Sequence, residues 1–312
     1  MNHNTSTQLT HNYGAGIRDI DSLSPKLIKN TQYLTNIKLI CRLASAVQQH
    51  RGCTIASMNG SISFFERIKE LQTIIDKSFF ALRLNNVQHD ETLHRSQLSH
   101  AQMDWNSIQQ GWQHDKVLDN YEFHSHLIST LSKISKQFLD KILESCESQL
   151  SVQHETFFHS VLVELFEFIE QIAKLRGLST NSAVIKACGP DSYSRISFLI
   201  KDIRKKNDEM TQKITELSAN YEHLPSKQKL NKQKQRIKKI ARIVETKILK
   251  TRIITESSEN LFDLITEIID VQWSILETGF DLADRLIFDE LYVHSKLDKN
   301  APARPRSSST NK

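Results

Sequence analysis

Glycine and proline are scarce in this chain, at 8 and 5 of 312 residues, or about a third of their usual combined share. A sandwich, a barrel or a doubly wound sheet needs turn residues at short intervals, so the shortage excludes them and points to long helices with few connections. No Gly-rich phosphate loop, Cys-x-x-Cys pair, His-Glu-x-x-His helix or Gly-x-Ser-x-Gly elbow occurs. Their absence removes the commonest motif-bearing enzyme classes, and a non-enzymatic protein is expected. No stretch approaches 18 uncharged apolar residues, and the polar start Met1–Thr10 lacks a signal peptide's basic and apolar regions. The expectation is a soluble, cytoplasmic chain without a membrane span. The four cysteines, Cys41, Cys53, Cys146 and Cys188, lie far apart in apolar-periodic segments, which suits buried thiols better than a disulfide framework.

Apolar residues then recur at helical spacing over most of the chain. Ser24-Pro25 opens a predicted helix, an N-cap followed by proline at the first helical position, running to about His50. Further helices are expected at 61–84, weakly at 97–113, and at 118–148, with 85–100 read as a loop. The second half gives helices at 151–176 and 193–221, a long basic helix from 226 to about 255 after the Pro225 break, and a last one carrying Leu261 to Leu286. About eight amphipathic helices are best satisfied by bundles, so the expected fold is all-α with two four-helix-bundle halves. Residues 1–22 and 297–312 are low in apolar content and expected to be disordered; 23–150 and 151–296 form the two halves.

Those halves are read as an internal repeat. Arg51-Gly52-Cys53-Thr54 matches Arg176-Gly177-Leu178-Ser179 at a spacing of 125 residues, each followed by a further glycine (Gly60, Gly189) and arginine (Arg67, Arg195). One reading is structural: a cation in a helix's last turn complements the dipole, and glycine supplies the left-handed closing residue. The other is functional, because a guanidinium is a planar, permanently charged fork of donors that suits a small planar oxyanion, and two could clamp one anion between the halves.

The two Arg-Gly-x-Ser/Thr elements resemble those of the nitrate- and nitrite-sensing (NIT) domain, an all-helical ligand-binding module of bacterial signalling proteins. Members typically read Gln-x-Glu-Arg-Gly-x-Ser/Thr at the first element; here Gln48, Arg51, Gly52 and Thr54 match, while His50 stands in place of the glutamate. The resemblance implies nitrate or nitrite as ligand, Arg51 and Arg176 as its binding arginines, and no cofactor. Thr54 and Ser179 complete the elements, and Arg67 and Arg195 join as candidates by repeat position alone. With no output domain after residue 296, it further implies a stand-alone sensor acting on a partner protein in trans, with a homodimer as a further possibility.

Other constellations compete. The run from Pro225 to Arg252 holds eleven Lys or Arg and one acid, Glu245, which suggests an anionic partner, with Lys234, Arg236, Lys238, Lys239 and Arg242 as the candidate face. It lacks aromatics, and Ile237, Ile240, Ile243, Val244 and Ile248 form an apolar stripe. A solvated face on a bundle helix is therefore favoured over nucleic acid, and a helical adaptor using this face is the alternative function. His89, His94, His100, His114, His124 and His126 crowd together, but only Glu91-x-x-His94 has metal-ligand spacing, so no metal is expected. Glu164, Glu167 and Glu170 read as the wet side of their helix, and Trp105 and Trp112 as core.

Overall fold

The structure, a computed structural model, describes residues 25–87, 92–146 and 151–300. The order is α1 (Pro25–Met58), a short 3-10 turn (Ile62–Phe64), α2 (Phe65–Val87), α3 (Thr92–Gly111), α4 (Val117–Cys146), α5 (Val152–Phe158), a π turn (His159–Glu164) and α6 (Leu165–Val184). There follow α7 (Pro190–Ser218), α8 (Lys227–Val244), a second π turn (Glu245–Leu249) and α9 (Ser258–Asn300). The first π turn joins α5 and α6 into one rod, so the described residues make eight rods and no strand. The fold is all-α.

Helix ends differ from expectation in an informative way. α1 passes straight through Arg51-Gly52 and stops where Gly60 takes φ +97°, with Ser61 N–H donating to the Ala56 carbonyl (3.2 Å). α6 passes through Arg176-Gly177 and ends at Lys186 (φ 55°), where Ala187 N–H reaches the Ser182 carbonyl (3.2 Å). The reading of Arg-Gly as a helix end is thus overturned, because both elements lie inside helices. The loop read over 85–100 is likewise replaced by the end of α2 and the start of α3, while His89 and Glu91 lie outside the described residues. The basic helix stops short of 255, since the chain leaves the second π turn at Leu249. Residues 1–22 and 301–312 lie outside the described residues, and α9 continues past the expected 297 boundary to Asn300.

α1 packs against α2 and α4, and α3 against α4 and α2; α6 packs against α7 and α9, with α8 on α7 and α9. α1 also meets α6 and α9, so α1 and α6 are surrounded by other helices. Leu34, Ile37, Leu43 and Val47 of α1, with Leu165 and Ile169 of α6, are fully buried, each contributing about 1.5–3 kcal/mol. Trp105 and Trp112 are core residues, the former donating its Nε1–H to Asp76 (2.7 Å). Cys41, Cys53 and Cys146 are buried thiols and Cys188 is partly buried. No described helix is long and apolar enough to cross a membrane. Polar groups on helices so enclosed must find partners inside the protein, which is what makes the centres of α1 and α6 chemically distinctive.

Candidate functional site

α1 and α6 run in parallel: Gln48 Nε2–H donates to Glu170 Oε2 (2.9 Å), and further along Asn59 Nδ2–H donates to Asn181 Oδ1 (2.6 Å), the same 122-residue offset at both points. That offset is close to the 125-residue spacing of the Arg-Gly elements, so the two arginines enter one layer between the helices. Arg51 is 0% and Arg176 1% exposed. Gly52 allows the close approach there, since a Cβ on it would stand 2.8 Å from Cε2 of Phe262.

Each arginine meets a hydroxyl and an aromatic ring. Arg51 Nη1–H donates to Ser125 Oγ (2.9 Å), whose hydroxyl donates to the Tyr121 carbonyl (2.7 Å), and its guanidinium lies 5.3 Å from the Tyr121 ring centre. Arg176 Nη1–H donates to Thr266 Oγ1 (2.9 Å), whose hydroxyl donates to the Phe262 carbonyl (2.7 Å), and its guanidinium lies 4.7 Å from the Phe262 ring centre. A second arginine shares each ring: Arg195 at 5.9 Å from Tyr121, Arg67 at 5.1 Å from Phe262. Thr54 donates to the carbonyls of His50 and Arg51, and Ser179 to those of Leu175 and Arg176. The Ser179 hydroxyl is taken up within its own helix and that of Thr54 also reaches Asn120 Oδ1 on α4 (3.0 Å), so neither is presented to a ligand. Arg67 is half-buried, with Nη2–H on Gln49 Oε1 (3.3 Å), whereas Arg195 pairs with Glu122 at the surface. Arg195 is therefore not brought to Arg176.

The two arginines differ at the counter-charge. Glu170 grips Arg51 in a two-point pair, Nη1–H to Oε1 at 2.7 Å and Nη2–H to Oε2 at 3.1 Å, the strongest geometry a guanidinium makes. Burial alone would lower the pKa of Arg51, but Glu170 outweighs it and leaves it raised. Arg176 gives its Nη2–H to the Gln48 carbonyl (3.0 Å), and among the described residues no carboxylate lies within ion-pair distance and nothing accepts from its Nε–H. Burial, with repulsion from Arg51 and Arg67 only partly offset by Cys53 and Asp270, brings its pKa down to about 10. The residue 125 positions before Glu170, the spacing of the two Arg-Gly elements, is Ser45, which carries no charge. Glu170 itself is only 8% exposed, so the expectation that it lies on a wet face is corrected. Lys174, one turn on, approaches its Oε1 to 3.9 Å.

His50 does not replace the missing glutamate. His124 Nδ1–H donates to the Asn120 carbonyl (2.7 Å), which leaves His124 Nε2 to accept from His50 Nδ1–H (2.8 Å) and His50 Nε2 as an acceptor with no partner, beside the Trp105 ring. Burial lowers both imidazole pKa values, that of His124 to about 3. Both rings are neutral, and their hydrogen bond joins α1 to α4.

On α8, Lys234 and Lys238 share Asp208 (2.9 Å each) and Arg236 pairs with Glu267 (3.0 Å). Lys239 and Arg242 are exposed and meet no carboxylate among the described residues. Among those residues no group of three His, Cys, Asp or Glu side chains could hold a metal ion. A cavity of about 460 Å³ opens beside the first π turn, lined by Glu155, His159, Glu164 and Lys213, none of them in the arginine layer.

Sequence reasoning missed Glu170, Gln48 and the two ring-and-hydroxyl pairs, Tyr121/Ser125 and Phe262/Thr266. An aromatic followed four residues later by a hydroxyl occurs in α4 and again in α9, a signal legible only once those helices are matched to each other. No protein-family model matches the chain, and no curated protein or solved structure matches it either.

Proposed function

We propose that this chain is a non-enzymatic sensor of a small inorganic oxyanion, nitrate or nitrite, bound between α1 and α6 at Arg176 with Arg51 alongside, as the NIT resemblance implies. The observation that carries the reading is Arg176: a fully buried cation, with no acceptor for its Nε–H and no carboxylate within ion-pair distance among the described residues. A buried charge without a counter-ion costs several kcal/mol, and an anion supplied from solution relieves that cost. The guanidinium is already oriented by Thr266, Gln48 and the Phe262 ring, so little ordering remains to be done on binding. A four-atom ligand at the ceiling of about 1.5 kcal/mol per atom gains about 6 kcal/mol, a Kd of some tens of micromolar.

The two arginines belong to the two proposed repeats. Neutralising their mutual repulsion favours one packing of α1 against α6, a population shift along long helices that a partner protein in trans reads. The test is a thermal-shift titration with nitrate, nitrite, chloride and sulfate at matched ionic strength, beside an Arg51→Ala/Arg176→Ala variant. A saturable rise with nitrate or nitrite, about 2.7 kcal/mol at a hundredfold excess over Kd and absent in the variant, supports the sensor; no response to any of the four refutes it. The alternative, an adaptor docking nucleic acid or an acidic protein through α8, is favoured by Lys239 and Arg242 alone. It requires salt-sensitive binding to an oligonucleotide or acidic peptide that Lys239→Glu/Arg242→Glu abolishes.

A further inference from the structure

One carboxylate serves a layer with two buried arginines, and its position suggests more than structural support. Glu170 holds Arg51 by two hydrogen bonds (2.7 and 3.1 Å) and reaches towards Arg176 through Gln48, whose Nε2–H it accepts (2.9 Å) and whose backbone carbonyl takes Arg176 Nη2–H (3.0 Å). In charge and shape it resembles the ligand: a planar group of oxygen acceptors with one negative charge. Arg51 Nε, Arg176 Nε and Gln48 Oε1, on the three residues this carboxylate links, are buried without a hydrogen-bond partner. A second cation also stands ready, because Lys174 Nζ is 3.9 Å from Glu170 Oε1 on the same helix and is partly exposed.

Building on the anion-sensor reading, we propose that Glu170 is a tethered competitor for the oxyanion. In the ligand-free chain its carboxylate occupies the fork of Arg51. A monoanion entering at Arg176 takes over that fork, and the carboxylate turns to Lys174. The exchange keeps one negative charge in the layer: one anion arrives where the two arginines share it, and one carboxylate moves to an existing partner, Lys174. It fits a monovalent oxyanion, since a dianion would overshoot the single charge that Glu170 gives up. It also raises the apparent Kd, because each binding event must break a two-point ion pair.

The experiment is calorimetric titration of the full chain with nitrate and nitrite in four forms: unaltered, Glu170→Gln, Lys174→Met and the double variant. The unaltered chain binds; Glu170→Gln binds about tenfold tighter or more, because the competitor has lost its charge. Lys174→Met binds several-fold weaker, and that loss disappears when Glu170→Gln is also present. Unchanged or weaker binding by Glu170→Gln while the unaltered chain binds overturns the competitor and leaves the sensor standing. A Lys174→Met loss that persists in the double variant is a bulk charge effect and also overturns it. Should Glu170→Gln fail to fold without anion, Lys174→Met decides alone, with unchanged or tighter binding counting against the proposal. No binding in any form overturns the sensor reading and this proposal together.

Discussion

Gly52→Ala and Gly177→Ala are the same chemical change at matching points of the two Arg-Gly elements, and the structure gives them opposite signs. Both glycines lie in helix interiors, where alanine is favoured by about 0.8–1 kcal/mol. At Gly177 the new Cβ meets only Ile55 Cδ1, at 3.8 Å, an ordinary contact, so the variant is more stable by about 1 kcal/mol. At Gly52 it stands 2.8 Å from Phe262 Cε2, a separation that forces the ring or the helix to move. Overpacking of that kind costs about 1–3 kcal/mol, which cancels the propensity gain and leaves a net loss of up to about 2 kcal/mol. The displaced ring is the one on which Arg176 stacks at 4.7 Å, so anion response weakens in Gly52→Ala and is preserved in Gly177→Ala. Urea midpoints at unchanged slope measure the stability difference. A shift of the same sign at both positions refutes the close seating of Phe262 on α1.

Three further outcomes follow from the same geometry. Arg51→Met leaves Glu170 with Lys174 alone as counter-charge and lowers stability by up to about 3–5 kcal/mol, whereas Arg51→Met/Glu170→Leu recovers most of it; equal losses in the two, read by urea denaturation, would show that the ion pair is not the cause. The folded His50–His124 pair stays neutral while unfolded imidazoles titrate near about 6.5, so its contribution is intact above that pH and is lost as pH falls towards the folded value of about 3 for His124. Each imidazole removes up to about 1.4 kcal/mol per pH unit in that window, and His124→Asn flattens the slope between pH 6.5 and 5; midpoints that do not change over this range exclude a buried neutral pair. Gly279→Ala places a Cβ against Val161 Cγ1 in the first π turn, destabilising by about 1–3 kcal/mol, and Val161→Ala in the same chain restores midpoint stability if that contact is responsible.

Helical periodicity and the shortage of glycine and proline were enough to read the all-α fold and nearly every rod. Helix ends were harder, because a glycine in sequence does not say whether it supplies a positive φ or a close approach: Gly60 does the first and Gly52 the second. Arg51 and Arg176 were legible as a pair from duplication. Glu170 was not, because its spacing from Glu164 and Glu167 looks like one polar face. At about 100° per residue, six residues rotate Glu170 about 120° away from Glu164, and while Glu164 reaches out to Lys213, Glu170 turns inward to Arg51. Nor could the sequence show that three of the five basic residues chosen on α8 are taken up by Asp208 and Glu267, acids that belong to other helices.

The central claim is that Arg176 is kept as an uncompensated buried cation for an anion to find, and Arg176→Met tests it most directly. Unfolding free energies of the unaltered and variant chains are compared with and without saturating nitrate or nitrite. The account predicts that the variant, relieved of a buried charge, is at least as stable as the unaltered chain in the absence of anion, and that the anion stabilises only the unaltered chain. A variant that loses about 3 kcal/mol or more without anion, beside an unaltered chain indifferent to nitrate and nitrite, would contradict the account and make Arg176 a structural residue.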